Sequence, residues 1–386
     1  IRKVDADGRI TTLIDGTKQA DGISLDRPYG VALDHTGNVL YIADANNDRI
    51  LKYELDSEEL TEVETGTVLD SPNGVTVDGE GKLVIADTDH HRIIKVDPDA
   101  AGTYSLVAGV GTDGYSGDGG LATDARISSP EGAAIDGAGN IYIADYNHSV
   151  IRKIDTNGII TTVAGTGVTG YSGDGGLAID AKLNAPESVD VDSAGNIYIG
   201  DKGGKPRIRM VDADTGIITT VAGTGLPGYS GNHGKATSAE MDFPQNIMVD
   251  ADGNIYFSDF NNHVIRKVRA PFINWAFGFP KLGTATNDSI RFHLKTKQPG
   301  KAWYVALAHQ APVPNAAQVK AGQDAGGVAL AAHLAGEVQL AANAEADITI
   351  ASLAPAVYDI YIVAEYVSGA EQLPLAKITA GVAGTS

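Results

Sequence analysis

The sequence predicts an all-β chain, a β-propeller joined to a β-sandwich, and three observations carry that prediction. First, a segment of the form Pro-x-Gly-Val-x-x-Asp-x-x-Gly-Asn-x-Tyr-Ile-Ala-Asp-x-x-Asn-x-x-Ile-Arg-Lys-Val recurs five times, from Pro28, Pro72, Pro130, Pro186 and Pro244, at spacings of 44, 58, 56 and 58 residues. Second, each copy reads as short alternating strands separated by Asp/Gly/Asn turns, the pattern of a propeller blade and not of a helical solenoid. Third, the repeats stop near Val268, and from Ser289 the strands lengthen. Two domains are expected, residues 1–270 and 271–386.

The third copy shows how a blade is written. Gly132 to Asp136 reads as the innermost strand, Asp136-Gly-Ala-Gly-Asn140 as a hairpin turn, and Ile141 to Asp145 as the second strand. Val150 to Ile154 is the third, and after an Asp155-Thr-Asn-Gly158 turn Ile159 to Ala164 is the fourth. Glycine, Asn and Asp stand where turns need a positive φ, and β-branched residues fill the strands.

The recurring tripeptides are specific: Ile-Ala-Asp at 42–44, 85–87 and 143–145, Ile-Gly-Asp at 199–201, and Ile-Arg-Lys at 1–3, 151–153 and 265–267. On these residues the chain resembles the NHL-repeat family of β-propellers over about residues 1 to 270, in its bacterial, teneurin-like form with long glycine-rich loops between blades. The family holds sensors, scaffolds and enzymes, so the resemblance implies the fold and does not choose a function. Ile1-Arg-Lys-Val4 and Ile10-Thr-Thr-Leu13 match the third and fourth strands of a blade, whereas Pro244 to Val268 supplies a first, second and third. The simplest expectation is a six-bladed ring with one blade incomplete, its other strands lying upstream of this sequence. A five-bladed ring closed by Ile10–Leu13 is the alternative, and strands donated by a neighbouring molecule are a third.

In the second domain, strands are expected at Ser289 to Leu294, Trp303 to Leu307, Ala346 to Ile350, Tyr358 to Glu365 and near Leu373 to Ile378. Leu353-Ala-Pro-Ala-Val-Tyr358-Asp-Ile-Tyr-Ile-Val-Ala-Glu365 resembles the fibronectin type III pattern. The resemblance implies a β-sandwich with Tyr358 as the corner tyrosine, its hydroxyl bonded to backbone upstream. The Pro-containing stretch from Ala311 departs from ordinary domains of that type and resembles the variant of bacterial surface proteins, which implies an extracellular or cell-surface setting and a spacer or attachment role.

Composition narrows the function. The formal charge is −20, and with 7 Lys/Arg against 8 Asp/Glu after residue 270, the repeats carry 22 against 41. Such an acidic surface repels phosphate backbones and anionic lipid, so no nucleic-acid partner is expected. With no cysteine there is no disulfide, thiolate zinc site or cysteine nucleophile. No stretch approaches the roughly 20 apolar residues of a membrane span. The start lacks a basic-then-apolar leader, so any export signal is expected to be removed or outside this sequence.

Two residue sets stand out as sites. The position after each repeat proline enters the innermost strand near the axis and carries Tyr29, Asn73, Glu131, Glu187 and Gln245. Asn73, Glu131, Glu187 and Gln245 form a hard-oxygen set suited to Ca²⁺ or Mg²⁺, and calcium is the one cofactor this set suggests; the plainer reading is that they hydrate the mouth or bond to neighbouring strands. The loops Gly114-Tyr-Ser-Gly-Asp-Gly-Gly120, Gly170-Tyr-Ser-Gly-Asp-Gly-Gly176 and Gly228-Tyr-Ser-Gly-Asn-His-Gly234 carry Tyr115, Tyr171 and Tyr229, either an aromatic rim for a glycan or peptide or rings packed under their own loops. His233 breaks the loop pattern, as does the Lys202-Gly-Gly-Lys-Pro206 turn. The repeated Asp44, Asp87, Asp145, Asp201 and Asp259 read as turn-capping carboxylates, and the Arg series of the third strands as ion pairs between blades. No nucleophile elbow or Ser/His/Asp arrangement is recognisable, and no catalytic residue is assigned. The leading expectation is a non-catalytic extracellular platform for protein or glycan. The alternatives are a metal-dependent lyase or lactonase with an axial metal, and a self-assembling subunit of a surface layer or filament.

Overall fold

In the computed structural model the chain divides into two compact units, Ile1–Arg269 and Ala270–Ser386. The structure describes residues 1–5, 7–15, 23–100, 102–251, 253–269, 281–285, 289–295, 300–308, 311–312, 314, 316–340, 345–354, 356–366 and 376–381.

The first unit opens on a two-stranded sheet, β1 (Arg2–Val4) with β2 (Ile10–Thr12). Four antiparallel four-stranded sheets follow in chain order. They are β3 (Pro28–Leu33), β4 (Val39–Asp44), β5 (Arg49–Glu54) and β6 (Glu59–Glu62), then β7 (Pro72–Val77), β8 (Leu83–Asp87), β9 (Arg92–Val96) and β10 (Tyr104–Ala108). Next come β11 (Pro130–Ile135), β12 (Ile141–Asp145), β13 (Val150–Ile154) and β14 (Ile160–Ala164), then β15 (Pro186–Val191), β16 (Ile197–Asp201), β17 (Arg207–Val211) and β18 (Ile218–Ala222). A three-stranded sheet of β19 (Pro244–Val249), β20 (Ile255–Asp259) and β21 (Val264–Val268) closes the unit. The first strands stand side by side, β3 against β7, β7 against β11, β11 against β15 and β15 against β19.

Each hairpin between first and second strands is set by its aspartate. Asp136 Oδ1 accepts from the backbone N–H of Ala138 at 3.0 Å and of Asn140 at 2.9 Å, so the side chain fills the turn that the glycines permit. Alternation then puts one face of a sheet in the middle of the series against the sheet before it and the other against the sheet after. Tyr41, Ala43 and Ile50 of one blade pack with Val75, Leu83 and Ile85 of the next, and Ala144 and Ile151 pack with Val189 and Ile199. Full burial of each large aliphatic chain is worth about 1.5–3 kcal/mol, so the blades are held by one another's faces. The fourth strand leaves each blade through a glycine in the left-handed region. Gly165 has φ +95°, and a Cβ there would lie 2.5 Å from the Ser149 carbonyl oxygen. Gly165→Ala is expected to cost on the order of 1–3 kcal/mol, read as a lower midpoint in urea unfolding.

The second unit pairs two sheets. Its strands are β22 (Lys281–Ala285), β23 (Ile290–Lys295), β24 (Gly300–Ala308), β25 (Ala335–Leu340), β26 (Glu345–Ile350), β27 (Val357–Tyr366) and β28 (Ala376–Gly381), with one short helix, α1 (Ala316–Lys320). The sheet orders are β22-β23-β26 and β25-β24-β27-β28. Ile290, Phe292 and Ile350 of the first sheet share a core with Ala302, Ala306, Ile360 and Ile362 of the second. Of the final expected strand, residues 373–375 lie outside the described residues, and β28 follows them. The Tyr358 hydroxyl donates to the Ala354 carbonyl at 3.1 Å, the upstream bond expected of a corner tyrosine. Tyr358→Phe removes it and is expected to lower stability by about 1 kcal/mol, seen as a small loss of midpoint confined to this unit.

Candidate functional site at the axial mouth

The site is built where the first strands begin. At the end of the ring that carries the loops preceding each repeat proline, the second-strand aspartates tie those loops down. Asp44, Asp87, Asp145, Asp201 and Asp259 accept from the backbone N–H of Asp26, Asp70, Ser128, Asn184 and Asp242, at 2.7, 2.8, 3.2, 2.6 and 2.7 Å. This is the capping role expected of them, and it fixes where each proline and the residue after it stand.

The residues after the prolines pair across blades. Asn73 Nδ2 donates to Glu131 Oε2 at 2.7 Å, and Gln245 Nε2 donates to Glu187 Oε1 at 2.6 Å. Asn73, Glu187 and Gln245 are buried and Glu131 is half-buried. Lys202, from the turn after β16, places its ammonium 2.5 Å from Glu187 Oε2 and over the rings of Tyr146 and Phe243, 4.6 and 5.4 Å from their centroids. Burial pushes both glutamates above the usual carboxylate range, and the Lys202 charge pulls each back toward ionisation. Arg27 lies over Tyr29, 5.6 Å from its centroid, and Asn246 Nδ2 donates to the Tyr29 carbonyl at 3.1 Å. Three buried polar atoms of this set, Tyr29 Oη, Asn73 Oδ1 and Glu187 Oε2, have no hydrogen-bond partner, and of these Glu187 Oε2 has the Lys202 ammonium beside it.

Of the four residues expected as calcium ligands, both carboxylates accept from the amide nitrogens, Glu187 also carries the Lys202 ammonium, and Asn73 Oδ1 is left free. Among the described residues no group of three or more His, Asp or Glu side chains is placed to hold a metal ion. What the ring offers is hydrogen bonding: two raised carboxyls, one cation on an aromatic seat, one unpaired hydroxyl and one unpaired amide oxygen.

The loop tyrosines are held apart, each on an arginine of the blade its loop precedes. Tyr115 lies 5.0 Å from the Arg152 guanidinium, stacks on His148 at 5.3 Å and bonds Thr162 at 2.8 Å. Tyr171 lies 5.0 Å from Arg209 and donates to Asp174 at 2.7 Å. Tyr229 lies 5.3 Å from Arg266 and accepts from Asn232 Nδ2 at 3.2 Å. Tyr115 and Tyr229 nevertheless remain exposed, as does His233, which takes a positive φ in its loop. The arginines bind the same loops: Arg152 reaches Asp118 and Arg209 reaches Asp174, both at 2.6 Å. The turn histidines serve their own caps, with His90 3.0 Å from Asp87 and His148 3.0 Å from Asp145.

Lys202, Arg27, Tyr146 and Phe243 were not legible as site residues. Lys202 had one signal: it stands where the other copies carry Ala45, Thr88, Tyr146 and Phe260, the lone cation of the series, in a turn already marked by its departure from the pattern.

Repeats and sheets are those of a β-propeller, and the repeats are similar to NHL repeats. The teneurin NHL domain model matches residues 1–170. Teneurin-4 of Mus musculus is 26% identical over 285 residues, covering 50% of this chain and 10% of that protein. NHL repeat-containing protein 2 of Gallus gallus is 40% identical over 107 residues, covering 27% of this chain and 14% of that protein. Among solved structures, a structural-genomics protein of unknown function from Bacteroides thetaiotaomicron superposes with a TM-score of 0.53 at 21% identity, over 68% of this chain and 61% of that one. An auxiliary nutrient binding protein of the same organism gives 0.52 at 20% identity, over 69% and 63%. The chain thus spans about a tenth of the teneurin it matches and under two thirds of these solved chains, and the structural likeness is one of fold.

Proposed function

We propose that this chain is a non-catalytic recognition platform outside the cell, with the axial mouth as its binding site. The partner is a protein or glycan segment that presents hydroxyl or amide groups. The second unit, a fibronectin type III-like sandwich in this reading, serves as spacer or attachment module. One observation carries the proposal: Tyr29 Oη and Asn73 Oδ1 are buried without partners near Glu131 and the Lys202-paired Glu187. An unpaired buried polar atom costs about 1–3 kcal/mol, and a ligand that supplies the missing donor and acceptor recovers that cost. A binding role is also the one named for a structural neighbour of this fold. Lys202, not calcium, balances the axial carboxylates in this reading, and Tyr115, Tyr171, Tyr229 and His233 form an outer rim that adds contact area. In this reading the ring has six positions, with β1 and β2 in the sixth. Among the described residues no helix is long and apolar enough to cross a membrane.

A glycan array and an immobilised peptide library, each probed with the full chain, test the site. Wild-type hits are expected to weaken about tenfold or more with Lys202→Met or Glu187→Gln, since each change breaks a buried charge pair. Tyr229→Ala is expected to cost less. Hits retained in full by both axial variants would move recognition away from the mouth.

A further inference from the structure

We propose that the second unit carries a sugar-binding cleft beside Trp303, shaped for one neutral pyranose ring with equatorial hydroxyls. The site is separate from the axial mouth and does not rest on it.

Alternation along β24 builds the cleft. Ala302 and Ala306 face the core shared with the other sheet, whereas Val305 and Leu307 face the opposite way and pack with Val319 of α1. Trp303 and Ala335 pack beside that second cluster. α1 ends at Lys320, and Gly322 follows in the left-handed region at φ +65°. The helical cover stops there and leaves the indole half-buried. A cleft of about 290 Å³ opens between Trp303, the segment from Val319 to Gly322 and the β25 residues Ala335 to Glu337. That is the volume of about ten waters, enough for one hexose ring.

The lining identifies the chemistry of the occupant. Trp303 stands directly opposite Glu337 where β24 and β25 pair. Its indole N–H donates to Glu337 Oε2 at 2.9 Å, which sets the plane of the ring, and Lys301 holds Glu337 Oε1 at 2.7 Å. The Lys320 ammonium lies 5.5 Å from the centroid of the Trp303 ring. A fixed aromatic face thus lies between a carboxylate acceptor and an ammonium donor. A pyranose presents the matching pattern. Its axial C–H bonds meet the negative face of the indole, and its rim of hydroxyls donates to Glu337 and accepts from Lys320. Equatorial hydroxyls are required, because an axial one on the stacked face lifts the ring off the indole. An acidic sugar in so small a cleft brings its carboxylate near Glu337, which favours the neutral class. Simple packing of Trp303 against its sheet accounts for the bond to Glu337 but not for the hollow, whose remaining walls are largely small residues, Ala321, Gly322, Ala335 and Gly336.

The probe is methyl β-D-glucopyranoside, titrated into the full chain and read by saturation-transfer NMR. Saturable binding in the millimolar range is expected, with the strongest transfer to the axial ring protons. Ala321 is exposed at the cleft. Ala321→Phe fills the hollow and is expected to weaken binding about tenfold or more. Glu337→Gln keeps an acceptor for the indole N–H but loses the charge, and is expected to weaken binding several-fold. Trp303→Ala should abolish transfer, and Ala321→Phe carries the test if that variant fails to fold. Lys202→Met, at the axial mouth, is expected to change nothing. No saturable transfer, or transfer that survives Ala321→Phe, overturns the proposal. Transfer lost with Lys202→Met instead overturns it in favour of the axial mouth. Tighter binding of methyl β-D-glucuronide than of the neutral glycoside overturns the neutral class.

Discussion

Arg209→Ala is expected to destabilise the repeat unit by about 3–5 kcal/mol, the usual cost of removing one partner from a buried ion pair. The Arg209 side chain is fully buried. It donates to Asp174 at 2.6 Å, to the Lys182 carbonyl at 3.0 Å and to the Ser172 carbonyl at 3.0 Å, and it stands 4.0 Å from Asp201. One side chain therefore ties the loop at 170–183 to the third strand of the blade that follows. Alanine leaves the Lys182 and Ser172 carbonyls without this donor and takes the cation from beside Asp174 and Asp201, whereas Tyr171 keeps the nearer Arg207 guanidinium, 3.7 Å from its centroid. Lysine does not rescue the loss, because a single ammonium cannot reach three acceptors in a fork. Arg2→Ala, at the equivalent but exposed position, is expected to stay within about 0.5 kcal/mol. Urea unfolding of the two variants beside wild type makes the comparison, and equal losses would contradict this account of the arginine series.

The second large effect is an inverted pH dependence. Burial pushes Asp201 up to about 7 and Asp190 up to about 6, and it raises Asp145, Glu131 and Glu187 as well. A carboxyl raised in the folded state holds its proton more tightly than the unfolded chain does. Its burden is therefore absent below the usual carboxylate range and grows as pH rises from about 4 to about 7. Stability is expected to climb on the order of a few kcal/mol as pH falls from 8 to 5. Below that range the trend reverses. Asp34, held down to about 2 against its burial by bonds from Thr36, Val39 and Asn38, contributes stability that is lost as pH falls through its folded value, and so do Asp136 and Asp174. Thermal midpoints across pH 3 to 9 should peak near 5. A midpoint that rises steadily to neutral pH would show the buried aspartates to be charged and fully compensated.

The blades were legible in the sequence because every level of it agreed: β-branched strands, Asp/Gly turns and a fixed order of both. The third copy was expected at 132–136, 141–145, 150–154 and 159–164, and β11 to β14 fall within a residue or two of those bounds. The caps were legible for the same reason, since Asp44 and its four equivalents repeat without exception. The axial set was half legible. Its members follow from counting one residue past each proline, but their partners come from other blades, and no local period carries the angle between blades. Lys202 meets Glu187 within one hairpin, where Pro186 pairs with Asp201, but the rings of Tyr146 and Phe243 that seat its ammonium come from outside that hairpin.

Calorimetric titration of calcium into metal-stripped full chain tests most directly whether Lys202 holds the axial carboxylates. The account predicts no saturable heat in wild type, with Lys202→Met the first variant able to admit the ion. Tight calcium binding by wild type that disappears in Glu131→Gln/Glu187→Gln would contradict it and turn the axial mouth into a metal site.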